Sequence, residues 1–315
     1  MTAQFKSPVI LTGPTGVGKT AVALELARRI PLRVISADSM QVYRRMDIGT
    51  AKPTLAERDA VQHYCIDVAD PDRPYSVAEF LDAALPAIAE TQEAGETPLI
   101  VGGTRLYIHA LTESFDPGPP PNPERREQLM TEAEATGLEA LHARLAQMDP
   151  AAAARIHPND QKRIIRAIEA CEAAGKSFSE LQRESQQTPP LLRATKIALV
   201  KDRPDLYRAV EARTAAMIRE GWLKEVAELL EDGYGPAFDR IMAHGYRELA
   251  AHLQGQMSLE EAVEQINKNV RHYVRYQLGW IRQTPDIHII HADAPVEEPA
   301  RQVDELIGRF TSEAP

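Results

Sequence analysis

The run Gly13-Pro14-Thr15-Gly16-Val17-Gly18-Lys19-Thr20 fits the pattern G-x-x-x-x-G-K-[ST], and it restricts the fold more than any other stretch. The pattern has meaning only between a strand and a helix. Pro8-Val9-Ile10-Leu11 before it is a short β-type apolar run. Ala21 to Ile30 after it places Val22, Leu24, Leu26, Ala27 and Ile30 without Gly or Pro, which reads as a helix. The glycines let backbone N–H groups converge on an anion, and the helix N-terminus adds partial positive charge. Lys19 brings a point charge for phosphate oxygens, and Thr20 a hydroxyl suited to Mg²⁺. The loop implies a phosphate or diphosphate ligand and leaves the reaction open.

Leu32-Arg33-Val34-Ile35-Ser36 reads as a second strand, so the chain opens with a βαβ unit and hence a parallel sheet. Ligands of such sheets bind at the carboxyl ends of the strands. Asp38 falls there, with three readings open: Mg²⁺ ligand, general base, or a turn or capping residue. His63-Tyr64-Cys65-Ile66-Asp67-Val68 is a third short strand, and Ser76 with Glu79 predicts a capping box before a helix through Phe80, Leu81 and Leu85. Pro98 to Val101 then enters Gly102-Gly103-Thr104-Arg105-Leu106-Tyr107. Those glycines permit close approach of the backbone to a ligand, and Thr104 offers a hydroxyl. An ordinary strand-to-helix turn fits equally well.

Asp116-Pro117-Gly118-Pro119-Pro120-Pro121-Asn122-Pro123 is neither helix nor central strand. Helical sequence follows at Glu124–Thr136, Leu138–Gln147 and Asp160–Ala174, before a second breaker at Gln186-Gln187-Thr188-Pro189-Pro190. The β pattern resumes at Thr195–Val200 and ends at Ile287–Ile290, ahead of a short amphipathic tail. The expected fold is α/β: a P-loop NTPase-like parallel sheet core flanked by helices, with an all-helical insertion domain. The core is expected over 1–116 and 191–315 and the insertion over 117–190.

A net charge of −10 argues against nucleic acid, but basic residues cluster locally. Lys162, Arg163 and Arg166 fall within about 100° of a helix circumference, for which a solvated face is the ordinary explanation. Arg208, Arg213 and Arg219 lie on a helix or helix pair from Leu206 to Leu230, and Arg240 follows. In the long helix from Ser258 to Arg282, Lys268, Arg271, Arg275 and Arg282 lie within a ~60° arc beside the apolar face. A stripe of that length, about 20 Å, suits a phosphate backbone, with Tyr273, Tyr276 and Trp280 as base-stacking groups. Cys65 and Cys171 are in no metal-type spacing and read as reduced thiols of a cytoplasmic protein. No apolar run approaches ~18 residues, and Met1 to Ser7 has no signal core, so no membrane association is expected.

Taken together the motifs resemble the tRNA dimethylallyltransferases, which isopentenylate the adenosine next to the anticodon. The resemblance rests on five stretches in order: Gly13 to Thr20; Asp38-Ser39-Met40-Gln41-Val42-Tyr43 with Met46 to Pro53; Gly102 to Tyr107; His157-Pro158-Asn159-Asp160 with Arg163 and Arg166; and Gly245-Tyr246-Arg247-Glu248. It implies dimethylallyl diphosphate in the phosphate loop with Mg²⁺ and tRNA as acceptor; a monomer is expected. It implies Asp38 as base, Thr104 as the residue that positions substrate, and Arg213 as the arginine on diphosphate. Asp38, Ser39, Met40, Gln41 and Thr104 would face the acceptor. Arg126, Lys162, Arg163 and Arg166 would grip the anticodon loop from the insertion. Arg240, Gly245, Tyr246, Arg247, Arg275, Gln277 and Trp280 would meet RNA from the second half of the chain.

Two departures fall in this RNA-contacting part. The family commonly has an apolar residue where His244 stands, and Lys-Arg-Gln-Leu-Thr-Trp where this chain has Arg275-Tyr276-Gln277-Leu278-Gly279-Trp280. Free adenine nucleotides are the nearest rival acceptor, and a small-molecule kinase the nearest rival activity. The insertion and the basic stripe favour tRNA, since a mononucleotide needs neither.

Overall fold

The computed structural model describes residues 6–312. Its strands are β1 (Val9–Thr12), β2 (Leu32–Ser36), β3 (His63–Tyr64), β4 (Thr97–Val101), β5 (Thr195–Val200) and β6 (Ile287–His291). They form one sheet in the order β3-β2-β4-β1-β5-β6, with every pairing parallel. β1 and β4 are buried at every position. That is why they read as continuous apolar runs: a parallel strand covered on both faces has no solvent side to mark. Leu11 pairs with Val101 on one side and Ile197 on the other. Because all strands run the same way, the segments after β1, β2 and β4 emerge at one edge.

The first helices are α1 (Lys19–Ala27), α2 (Leu55–Ala60), α3 (Val77–Glu93) and α4 (Arg105–Thr112). Next come α5 (Pro123–Thr136), α6 (Leu138–Met148), α7 (Pro150–Arg155), α8 (Gln161–Ala174) and α9 (Phe178–Ser185). The last six are α10 (Arg203–Glu220), α11 (Trp222–Glu231), α12 (Gly235–Arg240), α13 (Tyr246–Leu253), α14 (Leu259–Gln283) and α15 (Glu297–Ser312). The Ser76–Glu79 capping box forms as the sequence predicts, with Glu79 N–H donating to Ser76 Oγ at 3.2 Å. The stretch from Leu206 to Leu230 is a helix pair, broken at Gly221 with φ 106°. No helix among the described residues is long and apolar enough to cross a membrane.

One expectation is corrected. The third strand stops at Tyr64 rather than Val68. Cys65 and Asp67 take left-handed backbone (φ 60° and 57°), which turns the chain off the sheet. Asp67 is thereby brought to Lys52 Nζ at 2.6 Å and to Arg58 Nη1 at 2.6 Å.

The chain divides into two compact units, one of them His109–Leu191. That unit begins inside α4, earlier than the expected boundary at 117. Its own core joins Leu129, Leu141, Leu145, Ile164 and Ile168, all fully buried. Within it the proline-rich run is tied down by α8. Arg166 Nη2 donates to Pro117 O at 2.9 Å and Pro119 O at 2.8 Å. Buried Glu169 accepts from Asn122 N–H and from Arg126 Nη2, both at 2.7 Å.

Candidate active site

The loop after β1 wraps a cleft of about 560 Å³ lined by Thr15, Gly16, Gly18, Lys19, Thr20, Asp38, Gln41 and Arg213, among others. Lys19 Nζ donates back to Gly13 O at 2.9 Å and Pro14 O at 3.2 Å. Burial lowers the Lys19 ammonium to about 8, with Asp38 pulling it up and Arg213 pushing it further down. Arg213, from α10, has no hydrogen bond or ion pair among the described residues. Burial depresses its pKa and Asp38 raises it. Two partly buried cations and a single carboxylate, Asp38, stand at the phosphate-loop end of the cleft, an arrangement that suits an anionic ligand. The site accordingly suits a diphosphate.

Asp38 follows β2 and accepts Met40 N–H at 2.9 Å. Ser39 N–H donates to Thr104 Oγ1 at 2.9 Å, and Thr104 N–H to Ala37 O at 3.2 Å. The ends of β2 and β4 are thus laced together. Gly102 permits this: a Cβ there would lie 2.1 Å from Ala37 O. The carboxylate of Asp38 and the hydroxyl of Thr104 therefore stand on fixed backbone beside the cationic end of the cleft. Gln41 braces the facing wall, accepting from Ser36 Oγ at 2.9 Å and donating to Ala51 O at 3.2 Å.

From α14, Gln277 joins the phosphate loop to the glycine turn. Thr15 N–H donates to its Oε1 at 2.8 Å, and its Nε2 donates to Gly103 O at 3.2 Å. The Tyr273 hydroxyl donates to the same Gly103 carbonyl at 3.3 Å. Gln277, expected on RNA, is 1% exposed and is a structural tie. Trp280, expected as an open stacking face, is 6% exposed, so that expectation is corrected: it belongs to the apolar side of α14. Tyr246 is also interior, its hydroxyl donating to Glu225 Oε1 at 2.6 Å.

The remaining basic residues divide. Arg126 and Arg166 are engaged by Glu169 and the proline run as above. Arg247 lies 3.8 Å from both Asp239 and Glu248, and Arg271 is bound to Glu211 at 2.6 Å. The stripe on α14 is therefore partly neutralised. Lys162, Arg163, Arg240, Lys268, Arg275 and Arg282 are exposed.

Sequence reasoning missed Trp222 and Glu225 on α11. Glu225 accepts the N–H groups of Asp47, Ile48 and Gly49 at 2.9, 2.7 and 3.2 Å. Trp222 fills slots at Gly49 and Gly245, where a Cβ would come within 2.1 Å of its ring. Two motifs far apart in sequence are thus one packed assembly. Lys52, its side chain fully buried, completes it with bonds of 2.6 Å to Tyr43 O, Asp47 and Asp67. Glu225 is one acid among several on an amphipathic helix, and nothing in its sequence surroundings distinguishes it.

Comparison with known proteins places the chain in a family. The family described as IPP transferase matches residues 41–284, and the one described as isopentenyl transferase matches 8–71. A tRNA dimethylallyltransferase of Syntrophobacter fumaroxidans is 48% identical over 278 residues, 88% of this chain and 81% of that protein. One from Geobacter metallireducens is 44% identical over 89% of this chain and 90% of its own. Among solved structures, the full-length tRNA isopentenylpyrophosphate transferase of Bacillus halodurans aligns with a TM-score of 0.72 at 36% identity, covering 98% of this chain and 97% of its own. A eukaryotic dimethylallyltransferase acting on tRNA aligns with a TM-score of 0.82 at 26% identity, covering 98% and 80%.

Proposed function

This chain belongs to the IPP transferases, the family of the tRNA dimethylallyltransferases, and we infer that it transfers a dimethylallyl group from dimethylallyl diphosphate to N6 of the adenosine next to the anticodon of tRNA. The observation that carries this is one cleft in which a phosphate loop with Lys19 and Arg213 stands against Asp38, with Thr104 held beside it by the bond from Ser39 N–H.

The diphosphate binds to the loop amides and Lys19, with its free oxygens toward Arg213. The N6 lone pair attacks the allylic carbon, the C–O bond breaks, and its electrons leave on diphosphate. Lys19, the loop N–H groups and Arg213 stabilise that growing charge. Asp38 takes the proton that N6 loses, which an exocyclic amine needs because it is a weak nucleophile. Thr104, fixed by Ser39 and Ala37, holds the adenine edge. The target base leaves its stack in the anticodon loop to reach the cleft, at a smaller cost than in a duplex.

Mg²⁺ fits the donor set. The Thr20 hydroxyl has no hydrogen bond within the described residues, and both it and Asp38 line the cleft. That hydroxyl oxygen, together with phosphate oxygens and water, suits this ion, and when bound it would neutralise part of the diphosphate charge. No group of three or more His, Cys, Asp or Glu side chains among the described residues offers a site independent of substrate. Exposed Lys162, Arg163, Arg240 and Arg275 supply phosphate contacts to the RNA, and the enzyme works as a cytoplasmic monomer.

The test is transfer of labelled dimethylallyl from its diphosphate to an unmodified anticodon stem-loop, with AMP as a parallel acceptor. Label on the RNA alone is expected. Label on AMP would move the protein to the free-nucleotide class, and label on neither would sink the assignment.

A further inference from the structure

Tyr276, on α14, has unusual surroundings for a surface tyrosine. Its side chain is half exposed. Its ring stacks on Tyr273, with centroids 6.2 Å apart and planes 16° from parallel. Tyr273 is no surface residue: its hydroxyl reaches Gly103 O at 3.3 Å, one residue from Thr104. The two rings therefore form a step that leads from the acceptor side of the cleft to solvent. At the outer end Arg275 is exposed, its Nη2 3.2 Å from His272 Nδ1, with no carboxylate paired to it among the described residues.

We propose that Tyr276 is a stacking site for a nucleobase of the RNA acceptor, the one adjoining the adenosine that enters the cleft. The inference rests on the function proposed above. When the target adenosine swings out, its neighbour loses a stacking partner, and an aromatic face offers a sequence-tolerant replacement. Tyr273 holds the platform at a fixed distance from Thr104 through Gly103. Arg275 is placed to meet the phosphate of the same nucleotide. The other aromatic groups of α14 lack this geometry: Trp280 is buried, and Tyr273 is partly buried with its hydroxyl held on Gly103 O.

The experiment measures binding and transfer with an anticodon stem-loop for the wild type, Tyr276→Ala and Tyr276→Phe. Replacement by Ala is expected to weaken stem-loop binding about ten- to a hundredfold, the value of one stacked base. Tyr276→Phe should bind within about twofold of wild type, since the ring and not the hydroxyl stacks. The KM for dimethylallyl diphosphate, kcat at saturating RNA and thermal stability should not move. Stem-loops carrying an abasic site on either side of the target adenosine complete the test. One of them should cost the wild type the same factor and cost Tyr276→Ala nothing further. Unchanged binding by Tyr276→Ala overturns the inference, as does an abasic penalty that is equal in both proteins. A wild type that binds but transfers nothing to RNA would sink the function instead, while the binding series would still decide on Tyr276.

Discussion

Replacing Gln277 by Leu removes the tie between the two halves of the catalytic cleft while keeping a side chain of similar size. Two hydrogen bonds go, at 2.8 Å to Thr15 N–H and 3.2 Å to Gly103 O. Gly103 O retains the Tyr273 hydroxyl, and Thr15 lines the open cleft, where water can reach its amide. Neither group is left fully stranded, so the cost is near the low end of the range, about 1 kcal/mol per bond and ~2 in all. For a protein of 315 residues that lowers Tm by about 3 °C. The larger effect is expected in catalysis. A phosphate loop no longer held against the glycine turn must be ordered at binding, and ~2 kcal/mol spent there lowers kcat/KM for dimethylallyl diphosphate about 30-fold. Thermal melts and steady-state kinetics with each substrate varied in turn would measure both. Wild-type Tm with wild-type kcat/KM would refute the structural role. A rise confined to the KM for RNA would show that Gln277 touches the nucleic acid after all.

Three further outcomes follow from the site. Lys19 titrates near 8 in the free protein, below its ordinary 10.5. A bound diphosphate favours the charged form and raises that value, so affinity for inorganic diphosphate should be level from pH 7 to 8 and then fall up to tenfold per unit above; level binding up to pH 10 would contradict this. Asp38→Asn should lower kcat about 10²–10⁴-fold while diphosphate binding changes little, and near-normal turnover at saturating Mg²⁺ would remove Asp38 from the base role. Gly245→Ala forces a methyl to within 2.1 Å of the Trp222 ring at a backbone φ of 90°. It should cost about 3 kcal/mol or more in urea unfolding, and a loss under ~0.5 kcal/mol would mean that the Trp222 packing described above is wrong.

Most elements and the candidate anion site were legible because each depends on a short contiguous stretch. The loop from Gly13 to Thr20 is eight neighbouring residues whose backbone forms it, so the sequence announces it without any distant partner. The Ser76–Glu79 cap spans one helical turn, and the apolar period of α14 spans its own length. Asp38 and Thr104 were legible for a related reason: the carboxyl ends of parallel strands always share one edge. What only the tertiary structure decided is the work of side chains whose partners lie far along the chain. Gln277 reads as one polar position beside a basic stripe, and it becomes a tie because folding brings it to Thr15, 262 residues away. Glu225 and Trp222 carry no local sign of holding Gly49 and Gly245. Arg166 and Arg126 have the charge of RNA-binding residues, yet Glu169 and the proline carbonyls engage them. A sequence pattern records which residues are charged or apolar; whether a charge faces solvent or a buried acid is settled by packing, where desolvation makes a partner obligatory.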